Sequence, residues 1–261
     1  MLGLGNSICA NDYPGGWTPL NSSNLVVWLK FNTNITADQN SGASASVDHS
    51  SNAGNMEDGD RINAWNAFAP TTINAVQTNS GDKPRWETDS ADLGSVAFPA
   101  GIKYMDFSAD TTVDANTDFS VVARFKATGF NGALMGSTEQ EFIKMHDENT
   151  IKFRINNTLL EFEESSATIE VDTYYTIIFS RTNGSTGDLN VYINGGAHSD
   201  KDWDAAETNQ NNNNFVISNL GSHDDDGLPF RGFMKDVLIY NGTALTAGNR
   251  AELYTYLDAQ E

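Results

Sequence analysis

Alternation of apolar and polar residues with a period of two recurs along this sequence, and it constrains the fold more than any other feature. In DFSVVARFKAT (118–128), Phe119, Val121 and Phe125 share one face, and TIKFRIN (150–156) repeats the pattern. Successive side chains of a β-strand point to opposite faces, so each stretch predicts a strand with one face on a core. About a dozen such stretches predict an all-β, antiparallel sandwich of two sheets.

The chain ends on a segment with a different period. RGFMKDVLIYNGTALTAGNRAELYTYL (231–257) contains a strand pattern, a turn at Asn241-Gly242 and a helical pattern. Thr246 is predicted to cap a helix over residues 247–258. A lone terminal helix on a sandwich most simply covers a sheet edge or an end of the core. The predicted fold is therefore an all-β, two-sheet antiparallel jelly-roll sandwich with a short C-terminal helix.

Two regions lack the strand periodicity. Residues 33–92 consist mostly of Asn, Ser, Asp, Gly and Ala, and are predicted to form a long loop region with one short strand at INAWNAF. Residues 1–22 are rich in Gly, Asn and Pro and are predicted to form an N-terminal arm before a domain over residues 23–261. Contact of the arm with a neighbouring subunit and contact with its own domain are both open.

The charge balance excludes one class of partner. The chain has 15 Lys and Arg against 35 Asp and Glu, a net charge of −20. A surface this acidic repels phosphate backbones, so we expect no binding of nucleic acid. The charge is otherwise compatible with salt tolerance, with divalent cations, with a basic partner or simply with a solvated surface.

Cysteine usage and the N-terminus bear on localisation. Cys9 is the only cysteine, so no intrachain disulfide can form. The stretch MLGLGNSICA has no basic residue, and its apolar run is too short for a signal peptide or a membrane span. We therefore expect synthesis in a reducing cytoplasm without membrane insertion, and assembly into a virus particle is one route out of the cell.

Four stretches carry a family resemblance. They are LVVWLKFN, the segment from INAWNAF to KYMDFS, TYYTIIFSRTNGSTGDLNVYINGG and the closing FRGFMKDVLIYNGTALTAGNRAELYTYL, which together span residues 24–258. In this order they resemble the concanavalin A-like lectin/glucanase superfamily, in its laminin-G-like, pentraxin-related branch. The resemblance implies a jelly roll with one curved sheet, whose concave face or loop rim binds sugars in relatives. Many relatives have an acidic residue directly after the position of Met234, where this chain has Lys235, with Asp236 next.

The first eight residues suggest a biological setting. MLGLGNSI resembles the N-termini of structural proteins from tailed phages of marine bacteria. The resemblance implies a structural or adhesive virion protein, either a capsid decoration or tail-associated, assembled in multiple copies and attached to other virion proteins through residues 1–22. The alternative is a lectin module that recognises host-surface glycans, and a glycoside hydrolase is the third reading.

The spacing of the carboxylates argues against hydrolysis. Retaining hydrolysis needs two carboxyl groups about 5–5.5 Å apart, and the resemblance implies that hydrolases of this fold supply them from roughly Glu-x-Asp-x-x-Glu on one strand. ETDSAD (87–92) ends in Asp and lacks the apolar residues of a strand, and EFEE (161–164) has no third acid at the right spacing. The four histidines match no nucleophile or zinc motif. We therefore predict no catalytic residue and no enzyme activity.

The densest group of carboxylates is a candidate metal site. In SHDDDGLP (222–229), Asp224, Asp225 and Asp226 are predicted to bind Ca²⁺, a hard cation that accepts six to eight oxygen ligands. A solvated acidic loop is the alternative.

A tryptophan in polar sequence marks a candidate sugar site. Trp203 lies in KDWDAAETNQNNNN (201–214), where Asp202 and Asn209 supply hydrogen-bonding groups. An exposed aromatic face beside such groups is typical of carbohydrate sites, although burial of Trp203 is an equally open reading. Trp65 and Trp86, in contrast, fall inside the segment that resembles the family pattern, and the resemblance implies that they pack in the core.

Overall fold

The structure is a computed structural model, and it describes most of the chain. The described residues are 17–38, 46–48, 56–68, 70–88, 92, 94–113, 117–155, 158–163, 169–182, 189–201, 214–224 and 227–259.

Strands dominate these residues. They are β1 (Leu25–Leu29), β2 (Ile35–Asp38), β3 (Ser46–Asp48), β4 (Arg61–Trp65), β5 (Ala75–Val76), β6 (Arg85–Glu87), β7 (Ser95–Phe98), β8 (Met105–Val113), β9 (Phe119–Ala127), β10 (Gly132–Thr138), β11 (Glu141–Met145), β12 (Thr150–Ile155), β13 (Thr158–Glu163), β14 (Tyr174–Arg181), β15 (Leu189–Ile193), β16 (Gly196–Lys201), β17 (Phe215–Leu220) and β18 (Gly232–Asn241). A short 3₁₀ turn covers Pro19–Asn21, and one helix, α1, covers Ala247–Asp258.

The strands form two antiparallel sheets. The first sheet has the order β1-β18-β9-β14-β15-β16. The second has the order β13-β12-β11-β10-β17-β8-β5-β4-β2-β3. The short strands β7 and β6 join them, because β7 pairs with β18 and β6 pairs with both β7 and β4. The predicted two-sheet jelly roll is confirmed.

The main core lies between the two sheets. On β9 the inward face consists of Phe119, Val121, Ala123, Phe125 and Ala127, as the alternation predicts. Facing strands contribute further aromatic rings, and the ring centroids of Phe153 and Phe215 are 4.5 Å apart. Trp65 and Trp86 are buried in the same core, which confirms their predicted packing.

The helix covers a different surface from the predicted one. Thr246 caps α1, and its Oγ1 accepts a hydrogen bond from the backbone N–H of Asn249 at 3.2 Å, so the predicted start is confirmed. Leu253 and Leu257 pack on the outer face of the first sheet rather than on an edge or an end. The outer faces of β9, β14 and β18 are apolar around Val122, Ile178 and Leu238, and α1 removes that surface from water. No described helix is long and apolar enough to span a membrane.

The expected long loop over residues 33–92 is largely wrong. Five strands, β2 to β6, lie in this region and extend the second sheet. One of them, β4, is the short strand predicted at INAWNAF. The other four are two to four residues long, too short for periodicity to reveal them. Ile35, Ile62 and Trp65 nevertheless reach the core.

The last part of the predicted arm contacts its own domain. Trp17 packs against the cluster under α1. The Tyr240 hydroxyl donates to the Pro19 carbonyl at 3.3 Å, and the Asn249 amide donates to Ser22 Oγ at 3.2 Å. Residues 1–16 lie outside the described residues, so an attachment through them stays a prediction.

A β-bulge on β18 buries a carboxyl group. The register of β18 against β9 shifts between Met234 and Asp236, and Asp236 becomes fully buried on the outer face of the first sheet. Its Oδ1 accepts hydrogen bonds from Trp28 Nε1 at 3.3 Å and from the Phe31 backbone N–H at 3.1 Å. Desolvation raises the pKa of Asp236 to about 7, against the lowering effect of these bonds and of the Arg124 and Lys30 charges.

We expect the stability of the protein to fall as the pH rises from about 4 to about 7, because the folded state holds the Asp236 proton over this range and the unfolded state releases it. The loss is at most about 1.4 kcal/mol per pH unit from this one group. In Asp236→Asn the side chain cannot ionise, so urea unfolding at pH 5 and at pH 8 should give a smaller difference in free energy than in the wild type.

The exposed Asp110 provides the control, and Asp110→Asn should keep the wild-type pH dependence. An Asp236→Asn variant with the full wild-type pH dependence would show that another group causes it.

Candidate functional site

Most of the sequence-predicted site residues lie outside the described residues. This applies to Asp202, Trp203 and Asn209 of the predicted sugar site, and to Asp225 and Asp226 of the predicted calcium site. Those predictions stay untested. Asp224 is described, and it borders a groove that the sequence did not predict.

The groove lies on the outer face of the second sheet. Strand register aligns one row of side chains across six strands, since each residue of the row is paired with the next. The row consists of Asp106, Asn219, Gly136, Phe142, Arg154 and Leu159. It therefore runs from an acidic end on β8, over an aromatic centre, to a cationic and apolar end on β12 and β13.

A second row crosses the same face beside the first. Lys144 on β11 is paired with Lys152 on β12, and Lys152 with Glu161 on β13. Lys152 and Glu161 form an ion pair, in which the lysine side chain is 15% exposed and the glutamate 47%. The Lys144 ammonium donates to Asn131 Oδ1 at 2.7 Å.

The loop after β17 forms one wall of the groove. Its His223 ring lies against Phe142, with ring centroids 5.7 Å apart. This approach requires a glycine at position 136, because a Cβ atom there would meet the Glu141 carbonyl oxygen and, at 3.0 Å, His223. Ser222 Oγ donates to the Gly227 carbonyl at 2.6 Å and closes the loop on itself.

Asp224 contributes to the same closure. Its Oδ1 accepts a hydrogen bond from the Gly227 backbone N–H, and its Oδ2 is 3.2 Å from His223 Nδ1 without the alignment of a hydrogen bond. Within the described part of the chain, no three His, Cys, Asp or Glu side chains are grouped as metal ligands. Calcium binding by Asp224, Asp225 and Asp226 stays a prediction, because two of the three lie outside that part.

Two cavities meet at Asp224. The larger, which we call the sheet groove, has a volume of about 590 Å³. It is lined by Glu139, Phe142, Lys144, Lys152, Arg154, Leu159, His223, Asp224, Gly227 and Leu228. The smaller, the polar pocket, has a volume of about 460 Å³ and is lined by Asp106, Phe107, Asp110, Ser137, Ser218, Asn219 and Asp224. In the polar pocket Asn219 Nδ2 donates to Asp106 Oδ1 at 2.8 Å.

The lysine row places two cationic side chains opposite each other. Desolvation lowers the pKa of Lys144, and repulsion from Lys152 lowers it further, against the Glu161 charge. The pKa of His146, the next outward residue of this hairpin, is lowered by desolvation and then by Lys152 and Lys144. Paired lysines stand out in a chain with a net charge of −20.

The acids considered for catalysis have structural partners. Asp92 is buried on the first sheet, where it forms an ion pair with Lys126 and accepts a hydrogen bond from the Tyr174 hydroxyl at 3.0 Å. Glu161 pairs with Lys152. Neither acid contributes to a described pair of carboxylates facing one cleft.

Sequence reasoning missed the groove because it treated each strand alone. The alternation in TIKFRIN places Lys152 and Arg154 on the face away from the core, but it does not predict which strands lie beside them. The available signal was the pair EFIKM and TIKFR around HDEN (146–149), a hairpin whose register places Lys144 opposite Lys152.

The fold and this groove define the class of protein. Residues 100–249 match the family model described as the concanavalin A-like lectin/glucanases superfamily, and the chain belongs to that superfamily. The match covers β8 to β18 and therefore both rows on the outer face of the second sheet.

Solved structures share the fold at low sequence identity. A GH54 α-L-arabinofuranosidase soaked with a cyclic sulfate inhibitor is 11% identical, with a TM-score of 0.62 over 90% of this chain and 62% of that chain. A variant of HCR/D is 12% identical, with a TM-score of 0.53 over 89% of this chain and 51% of that chain. The native heptameric SAP-like pentraxin from Limulus polyphemus is 16% identical, with a TM-score of 0.46 over 60% and 79%. This chain thus spans about half to two thirds of the first two proteins. No curated protein matches the sequence.

The close approach of the loop to β10 predicts the effect of one substitution. In Gly136→Ala the added methyl group would overlap the Glu141 carbonyl and His223, and we expect a loss of stability of about 1–3 kcal/mol from overpacking. Urea unfolding measures the loss. Gly129→Ala is the matched control, because a Cβ there meets no atom within 4 Å. Equal stability of the two variants would mean that the loop does not pack on β10 in solution.

Proposed function

We propose that this protein is a non-catalytic carbohydrate-binding domain that holds its ligand in the sheet groove and the adjoining polar pocket. The observation that carries the proposal is the row of paired residues from Asp106 to Leu159 across the outer face of the second sheet, which passes under the His223 loop at Gly136. The groove is open along the sheet and borders a second cavity, which suits an extended ligand of several sugar units.

The chemistry of the lining suits a sugar. Asn219, Ser137 and Ser218 line the polar pocket with amide and hydroxyl groups, and Asp106 adds carboxylate acceptors. Ser218 donates to Asn219 and Ser137 to Glu141, and a sugar hydroxyl would exchange with these hydrogen bonds. Leu159 is 40% exposed at the other end and provides an apolar contact. A few polar groups beside apolar surface are typical of small-molecule sites.

The partners of three carboxylates at the site argue against hydrolysis. Glycoside hydrolysis needs one carboxyl group as acid and a second as base or nucleophile. Glu161 is held by Lys152, Asp224 by its own loop and Asp106 by Asn219. Each of these carboxylates already has a structural role.

A bulky residue on the floor of the polar pocket tests the location of the site. Ser218 lies on the outer face of β17, so Ser218→Trp places a ring in the pocket on a strand that tolerates aromatic residues. We expect the variant to lose at least about tenfold in affinity, roughly 1.4 kcal/mol, for the glycan that the wild type binds best in an array. Calorimetry measures the affinity.

Ala251→Trp is the matched control, since Ala251 is exposed on α1, the layer on the opposite side of the molecule. It should bind like the wild type. Equal affinity of both variants would refute the proposed location, and release of reducing ends from the bound glycan would refute the non-catalytic role.

The virion role proposed from the sequence needs a separate test. We propose that residues 1–16 attach the domain to other virion proteins, because residues 17–22 are already engaged with the domain through Trp17, Pro19 and Ser22. Removal of residues 1–16 should leave the melting temperature unchanged and abolish incorporation into particles. Removal of residues 1–22 should in addition lower the melting temperature. Normal incorporation of the shorter deletion would contradict the attachment.

A further inference from the structure

We propose that the ligand of the sheet groove is an acidic polysaccharide, whose carboxylate or sulfate groups are held by Lys144, Lys152 and Arg154. This inference rests on the proposed function and specifies its ligand class.

The three cationic side chains lie close together in a chain that has few Lys and Arg residues. Only 15 of the 261 residues are Lys or Arg, yet three of them lie on the same face of two paired strands. Lys144 is directly opposite Lys152, and Arg154 is two residues further along the same strand. Like charges directly opposite each other destabilise a sheet, so a purely structural role does not account for this pair.

Burial makes the lysine pair more costly. Lys144 is 8% exposed, and its ammonium group donates to the neutral amide oxygen of Asn131. Among the described residues no carboxylate lies within ion-pair distance of Lys144. A buried charge without a counter-charge costs free energy, and an anionic ligand in the groove would supply that counter-charge.

Lys152 has a partner that a ligand can replace. Its ammonium group is bound to Glu161, whose side chain is about half exposed on β13. An ion pair with one solvated member contributes little to stability. A carboxylate or sulfate that bridges Lys152 and Lys144 would interact with two ammonium groups, whereas Glu161 forms an ion pair with one.

Arg154 is oriented towards the groove. One guanidinium nitrogen, Nη1, donates to the Glu139 carbonyl at 2.8 Å, and the guanidinium carbon lies 5.9 Å from the Phe142 ring centroid. A guanidinium group fixed in this way binds carboxylates and sulfates through two parallel hydrogen bonds. Desolvation is the main cause of the lowered pKa of the nearby His146, and the Lys152 and Lys144 charges lower it further.

A polysaccharide is favoured over a polynucleotide for this site. The remaining surface carries the rest of the net charge of −20, which repels the dense phosphates of nucleic acid. The polar pocket next to the cations offers Asn219 and Ser218, which suit sugar hydroxyl groups. Only the end of the site at β11 and β12 is cationic.

The test compares the same polymer with and without its acidic groups. The probes are a polyuronate and its carboxyl-reduced form, and a sulfated galactan and its desulfated form, at an ionic strength of about 0.15 M, where long-range repulsion is screened beyond about 8 Å. We expect one acidic form to bind at least about tenfold more tightly than its neutral counterpart. The pair that shows the difference identifies carboxylate or sulfate as the recognised group.

Three variants assign the effect to the groove. Lys152→Gln and Arg154→Gln should each lose about tenfold in affinity for the acidic polymer and less than about twofold for its neutral form. Glu161→Gln removes the competing carboxylate and should bind the acidic polymer more tightly. Lys103→Gln is the control, because Lys103 bonds backbone carbonyls at Gly81 and Ile102, away from the groove. Melting temperatures show whether each variant is folded. If Lys152→Gln or Arg154→Gln does not fold, the tighter binding expected of Glu161→Gln still tests the proposal.

The outcomes separate this inference from the proposed function. If acidic and neutral polymers bind equally well, and Ser218→Trp binds neither, the preference for an acidic ligand is refuted. The proposed location of the carbohydrate site is then still supported. Weaker binding of acidic polymers by Glu161→Gln would also overturn it. Absence of binding to every polymer would overturn both.

Discussion

The pairing of β18 with β9 is the interaction on which the rest of the structure depends. β18 pairs with β9 along its whole length and with β7 and β1 on its other side, so it fixes the position of three other strands. Its inward residues, such as Val237 and Ile239, build the core between the sheets. Its outward residues, such as Leu238 and Tyr240, build the layer under α1. The helix α1 covers the outer face of the first sheet around Val122, Ile178 and Leu238.

The second sheet is left open by the same arrangement. Its inward residues complete the core, while its outward residues on β10, β11 and β12 have no helix over them in the described structure. The loop at His223 approaches this face, and Gly136 makes that approach sterically possible. The location of the groove thus follows from the fact that one sheet is covered and the other is not.

Charge distribution gives the open face its chemical character. The chain is strongly acidic as a whole, which favours solubility in salt. The cations of β11 and β12 oppose this background and lie beside groups suited to sugar hydroxyls. Lys144 and Lys152 face each other at a cost to stability that a bound anion would offset. An acidic domain with a short cationic segment can discriminate between polyanions by the spacing of their charges and by their hydroxyl groups.

The sequence by itself determined the fold class, the inward face of β9 and the start of α1 at Thr246, because periodicity and capping are local properties. The family resemblance added the burial of Trp65 and Trp86, and the strand expected at INAWNAF is β4. The sequence did not reveal β2, β3, β5 and β6, whose strands are too short for a period, nor the position of α1, which depends on the apolar outer face of three distant strands. The groove was decided by the tertiary structure alone. Its row joins residues 106, 136, 142, 154, 159 and 219, and only the register between strands, including the bulges in β10 and β17, brings them to one face.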